Sequence, residues 1–227
     1  MGRGPVHVNQ AVAWARRTGY DPPMAIEIFG PASSRTRRAL WTAEECGAEY
    51  VHVPVALMKG EHFAPAFRAI NPNARVPVLR DGDLVLFESA AICRYIARKH
   101  PEAGLLPEPG TPDDALVDQW CYWVCTELEQ PLWSMGKHRF AIPEEYRIDA
   151  MQRTALWEWE RAAPVLAAAL AGREFLVGDR LSVADILAGH TLAWARANKI
   201  PLGSEVLDDH LDRLKARPAF QRTLALP

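Results

Sequence analysis

With 227 residues and a net charge of −2, the chain is long enough for one large domain or two small ones with buried cores, and it lacks the basic footprint that nucleic acid requires. No apolar run approaches membrane-spanning length, and residues 1–23 lack the continuous apolar core of a signal peptide, which points to a cytoplasmic protein. The four cysteines, Cys46, Cys93, Cys121 and Cys125, form neither a CxxC pair nor a zinc spacing; Cys121 and Cys125 fall on one helical face as packing residues.

In residues 1–23, glycines and prolines bracket a short helical stretch over 10–17. They read as an N-terminal extension, with the domain proper beginning at Met24. The sequence then predicts a strand over 25–29, a helix over 34–46 stopped by Gly47, a strand over 50–53 and a short helix over 63–70. Val76, Val78 and Leu79 form one apolar run and Leu84, Leu86 and Phe87 the next, with Asp81-Gly82 as a hairpin signal between them. Pro77 donates no hydrogen bond, so its strand is expected to present a bare edge there. Ser89 caps a helix running to 99. A bare edge beside a helix N-terminus suits a peptide-like anion. The β-α-β-α-β-β-α order over residues 24–100 is a thioredoxin-like layout, with a parallel first pair and a terminal antiparallel hairpin.

Residues 101–112 read as a Pro-rich linker. Residues 113–227 read as all-helical: a helix over 113–137, a second from Pro143 to about 171 with Pro164 expected to kink it, a third over 182–198 and a shorter one over 205–215. Ser182 and Asp185 have the spacing of a capping box. His190 lies on an apolar helix face as a satisfied core histidine.

Several short stretches, in order, carry a resemblance. They are Gly30 to Leu40 (GPASSRTRRAL), Lys59-Gly60-Glu61-His62, Asn71-Pro72, Val76-Pro77, Asp81-Gly82-Asp83-Leu84 and Leu86-Phe87-Glu88-Ser89. Over residues 25–100 the chain resembles the glutathione S-transferase family, closest to its phi (plant-type) class. The resemblance implies an α+β thioredoxin-like N-terminal domain followed by an all-α helical-bundle C-terminal domain. It implies glutathione as co-substrate with no metal, a small hydrophobic electrophile as second substrate, and a homodimer. No nucleic acid or membrane partner is expected.

The resemblance also assigns roles. A free thiol has a pKa of about 8.5, so a hydroxyl donated to sulfur beside a helix N-terminus is needed to favour thiolate. Ser33 matches that hydroxyl, and Ser34 lies beside it; the competing role for either is to cap the helix. Arg37 and Arg38 add positive field or line a solvated face. Val76, ahead of a cis Pro77, matches the partner of the cysteinyl backbone. Glu88 and Ser89 match the holders of the γ-glutamyl end, and His62 a contact to the glycyl end. Trp120, Trp123, Trp133, Met135 and Phe140 are candidates for the apolar wall of the electrophile site. Three departures stand out. Phe63 replaces a lysine that clamps the glycyl carboxylate, Arg75 replaces a glutamine and becomes the candidate substitute clamp, and Asn73 replaces the aromatic dimer key. The implied reaction is conjugation of the glutathione thiolate to hydrophobic electrophiles, with glutathione peroxidase side activity. The alternative is a non-catalytic ligand carrier or interaction module on the same fold. Thiol–disulfide exchange would want a cysteine at the first helix start, and none stands between Ala25 and Glu45.

Overall fold

Alternation of apolar residues builds the first strand, β1 (Ile26–Phe29), whose Ile26 and Ile28 face the core while Glu27 and Phe29 are half-buried. The computed structural model describes residues 25–227, so the extension over 1–23 and its helical stretch lie outside the described residues. After β1 come α1 (Thr36–Cys46), β2 (Tyr50–Val53), two 3-10 turns (Leu57–Lys59 and Glu61–Phe63), α2 (Pro65–Ile70), β3 (Val78–Asp81), β4 (Leu84–Phe87) and α3 (Ser89–Lys99). The sheet order is β2-β1-β3-β4, with β1 parallel to β2 and both other pairs antiparallel.

This is a thioredoxin-like unit, and the sheet separates two apolar clusters. Ile28 and Leu79 pack with Ala39, Leu40, Ile92 and Ile96 of α1 and α3. Val78, the neighbour of Leu79 and therefore on the opposite face, packs with Phe67 of α2 and Val55.

Four local expectations change. Pro77 lies outside the sheet: β3 begins at Val78 and is paired on both sides, so no strand edge is bare there. The hairpin pairs Asp81 with Leu84, which makes Gly82-Asp83 the turn, and Gly82 takes φ 60°. The helix expected from residue 34 starts at Thr36, because Ser34 spends its hydroxyl on a preceding turn. The helix expected over 63–70 divides into the Glu61–Phe63 turn and α2, with Pro65 at its first positions.

The helical unit spans Gly104–Arg217. Its elements are α4 (Pro112–Trp123), α5 (Glu129–Gly136), α6 (Met151–Leu170), α7 (Val183–Ala197) and α8 (Glu205–Ala216). Thr111 caps α4 by accepting from the Asp114 N–H at 3.2 Å. The expected helix over 113–137 is broken by π-helical turns at Val124–Leu128 and Lys137–Ala141. The next helix begins at Met151 instead of Pro143, and Pro164 lies inside it without ending it. The last helix, α9 (Pro218–Leu224), belongs with the thioredoxin-like unit, which comprises residues 25–103 and Pro218–Pro227. The all-helical unit therefore ends before the 227 expected from sequence.

Helix α7 is the apolar centre of its unit, buried without interruption from Val183 to Leu192, His190 included. It opens on the capping box of Ser182 and Asp185. His210 of α8 is also fully buried, and its Nε2 lies 3.9 Å from Asp185 Oδ1. Burial, with Arg213 nearby, pushes His210 down to about 4, against a smaller opposing effect of the Glu174 backbone carbonyl. A depressed histidine pKa means that the unfolded chain takes the proton first. Stability is therefore expected to fall as pH drops from about 6.5 towards 4 and to be fully present above that window. The shift is equivalent to about 3 kcal/mol. Asp185 offsets part of this, since burial raises its pKa and gives it the opposite pH dependence. Denaturant midpoints across that range should show a slope that His210→Asn flattens.

Candidate active site

Gly30, at the exit of β1, is where the site's segments meet. It has φ 129°, and a methyl group there would stand 2.8 Å from Val76 Cβ and collide with the Thr36 hydroxyl. Only glycine allows the β1 exit, the start of α1 and the Val76 loop to approach so closely. Its carbonyl also meets His52 Nε2 at 2.7 Å, and burial lowers the pKa of that ring.

The two serines that follow differ. Ser34 Oγ donates to the Pro31 carbonyl at 2.8 Å, receives the Thr36 N–H at 3.2 Å and meets Thr36 Oγ1 at 2.9 Å. It is the residue that shapes the turn. Ser33 is exposed, and among the described residues no partner engages its hydroxyl. It stands just before α1, whose N-terminal N–H groups present partial positive charge.

Val76-Pro77 is a cis peptide, as the resemblance implied. The loop before it is organised by Asn71, a buried residue of the Asn71-Pro72 stretch to which the sequence alone assigned no anchoring role. Its amide donates to the Arg75 carbonyl at 2.8 Å, and its Oδ1 accepts the Asn73 N–H at 3.1 Å. An Asn-Pro-Asn run is a turn signal, and the packing shows which of its residues anchors the turn. Arg75 and Asn73 are both exposed on this loop.

Glu88 is exposed with φ 73°, a conformation few side-chain-bearing residues adopt, directly before α3. Ser89 is buried, and its Oγ accepts from Arg38 Nη1 at 3.1 Å. Arg38 is fully buried, which rules out a solvated face for it; its neighbour Arg37 is half-buried and donates to Thr223. The Arg38–Ser89 bond ties α1 to the start of α3. Because Ser89 accepts from Arg38, its own proton remains available to an anion, with a buried cation behind it.

His62 lies on the Glu61–Phe63 turn, its ring 3.9 Å from that of Phe63. Its Nδ1 is buried with no hydrogen-bond partner among the described residues, and burial lowers its pKa, which favours the neutral ring. The Arg68 guanidinium lies 5.8 Å above Phe63. Gly30 and Arg38 thus link the Ser33 turn, Val76 and Ser89, while His62 and Arg75 stand on the long connection between β2 and β3.

The candidate wall residues lie in the helical unit. Trp120 and Trp123 meet edge to face at 5.2 Å, and Trp123 also lines a groove of about 530 Å³ with Trp157, Glu127 and Arg161. Trp133 and Met135 are half-buried and Phe140 is exposed. None of the cysteines is disulfide-bonded, and burial pushes the Cys46 thiol up to about 12, far from a reactive thiolate. Among the described residues no cluster of histidine, cysteine and carboxylate side chains is arranged to hold a metal ion, and no helix is long and apolar enough to cross a membrane.

Comparison with known proteins matches residues 25–98 to the glutathione S-transferase N-terminal domain and residues 130–218 to its C-terminal domain. Glutathione S-transferase F9 of Arabidopsis thaliana is 33% identical over 215 residues, 89% of this chain and 97% of that protein. Glutathione S-transferase 4 of Zea mays is 37% identical over 166 residues, 71% of this chain and 74% of that protein. Among solved structures, a theta-class glutathione S-transferase from Xanthomonas axonopodis pv. citri, with glutathione bound, is 35% identical with a TM-score of 0.74, covering 88% of this chain and 97% of that one.

Proposed function

The chain belongs to the glutathione S-transferase family, and from that premise we propose that it is a serine-type enzyme in which Ser33 activates glutathione for attack on hydrophobic electrophiles. The observation that carries this reading is the division of labour in the turn before α1. Ser34 is committed to the backbone, whereas the Ser33 hydroxyl is exposed and without a partner among the described residues. An O–H donated to sulfur, beside a helix N-terminus, favours the anion. The thiolate then forms a bond to an electrophilic carbon as the leaving group departs, or attacks a hydroperoxide oxygen and releases the alcohol, a second glutathione completing the disulfide.

In this reading the Val76 backbone pairs with the cysteinyl unit of glutathione. Ser89 donates to the γ-glutamyl carboxylate with Arg38 behind it, and Glu88 accepts from the γ-glutamyl amine. His62 and Arg75 take the glycyl end. The reading further takes the protein as a cytoplasmic homodimer, docked without an aromatic key at Asn73. An absorbance titration of the thiolate in the glutathione complex, followed by a broad electrophile screen, tests the activity. A protein that binds glutathione but leaves its thiol pKa at the free value would be a carrier instead.

The glycyl end gives a sharper test. Phe63 offers no donor to a carboxylate, and a hydrogen bond to a charged group contributes about 1.5–3 kcal/mol. Phe63→Lys is therefore expected to tighten glutathione binding about ten- to a hundredfold by calorimetry. Arg75→Ala is expected to weaken it by more than Ser33→Ala does, because a guanidinium can grip a carboxylate through two bonds. Absence of glutathione binding to both the native protein and Phe63→Lys would put the carrier reading first.

A further inference from the structure

The turn that carries Ser33 is held from the far end of the chain. Ala32, fully buried, donates its N–H to the Pro227 carbonyl at 2.8 Å. The other end of the same peptide group, the Pro31 carbonyl, accepts from both the N–H and the hydroxyl of Ser34, at 3.0 and 2.8 Å. A peptide plane clamped at its oxygen and at its hydrogen cannot rotate, and the next residue is Ser33. Because no side-chain partner engages Ser33 among the described residues, its direction depends on the turn that this plane anchors.

The segment that delivers Pro227 is fastened along α1. Arg222 pairs with Glu44 in the last turn of the helix. Phe220 meets Trp41 edge-on at 5.0 Å, and Thr223, fully buried, accepts from Arg37 near the first turn at 3.2 Å. Leu226 packs on the cluster between the sheet and α1.

We infer that residues 225–227 are a positioning strap for thiol activation: the Pro227 carbonyl fixes the Pro31–Ala32 peptide, one residue ahead of Ser33, and so the turn from which the Ser33 hydroxyl projects. This rests on the proposed role of Ser33. Ser89 is held by Arg38 and the Val76 loop by Asn71, not by the strap, so strap and glutathione affinity are separable.

The test is a variant ending at Leu224, measured in parallel with Ser33→Ala. The truncated protein is expected to lose about tenfold in kcat and to show a bound-thiol pKa raised by about one, which is the same tenfold expressed as thiolate. Its glutathione KM should stay within about twofold, and its Ala32 amide should exchange hydrogen faster even without glutathione. In the Ser33→Ala background truncation should cost nothing further, since two changes acting through one group are not additive. If the truncated chain does not fold, Leu226→Ala carries the same readouts, and Leu226→Met should restore native values. A truncated or Leu226→Ala protein with unchanged kcat and bound-thiol pKa overturns the strap while leaving Ser33 in place. Unchanged turnover in Ser33→Ala removes the serine reading and this inference with it.

Discussion

Replacing Ser33 by alanine should lower turnover about 10²- to 10³-fold, the usual loss on removing one preorganised donor from developing negative charge. Glutathione affinity should change far less, because the tripeptide's remaining contacts do not involve the hydroxyl. The signature is a fall in kcat with KM nearly constant, together with a bound thiol that titrates near its free value. Ser34→Ala should behave differently. Its hydroxyl is bonded to Pro31 and Thr36, so its loss loosens the turn and lowers stability first. Equal kinetic losses in the two variants would mean that the hydroxyl next to the sulfur has been misassigned.

Asp185→Ala should destabilise the protein by about 3–5 kcal/mol, the cost of leaving its buried donors unsatisfied at about 1–3 kcal/mol each. The carboxylate is fully buried and accepts from the Leu176 N–H at 2.8 Å, the Ser182 N–H at 2.9 Å and the Ser182 hydroxyl at 2.7 Å. Alanine leaves three buried donors with nowhere to go. Ser182→Ala removes only the cap hydroxyl and should cost about 1 kcal/mol. Chemical denaturation distinguishes them; a loss in Asp185→Ala no larger than in Ser182→Ala would show that the carboxylate does no more than cap the helix.

The features legible in the sequence were those written in local pattern. The strand over 50–53 and the helix over 89–99 match β2 and α3 at both ends, and the S-x-x-D spacing was enough to find the cap of α7. What escaped was decided by partners distant in sequence. Arg37 and Arg38 are adjacent arginines with the same local propensity, yet one is fully buried against Ser89 and the other half-exposed against Thr223. Which of them turns inward depends on where α3 packs. The π-helical turns escaped because an inserted residue leaves the apolar spacing on either side intact. Pro77 was placed in a strand because the apolar run continues through it, although its missing N–H puts it outside the paired ladder. Helix α9 is short, and nothing local in 218–224 says which unit it completes. Within the site, the family pattern pointed to Ser33, Val76 and Ser89, but the groups that hold them, Gly30, Arg38 and Asn71, came only from the packing.

The return of residues 218–227 to α1 has a consequence for how the protein is made. Arg37 and Thr223 are 186 residues apart in sequence, so the thioredoxin-like unit starts to emerge before the helical unit and is completed only after it. Its sheet and first three helices can assemble early, but the face of α1 that receives Phe220 and Leu226 stays uncovered until residues 218–227 have been made. Meanwhile the helical unit is continuous in sequence, Gly104–Arg217, and emerges whole before residues 218–227. At about 5–20 residues per second the wait while the helical unit is made is on the order of ten seconds, an interval in which Trp41 and the turn around Ser33 are open to chaperones or to a neighbouring nascent chain.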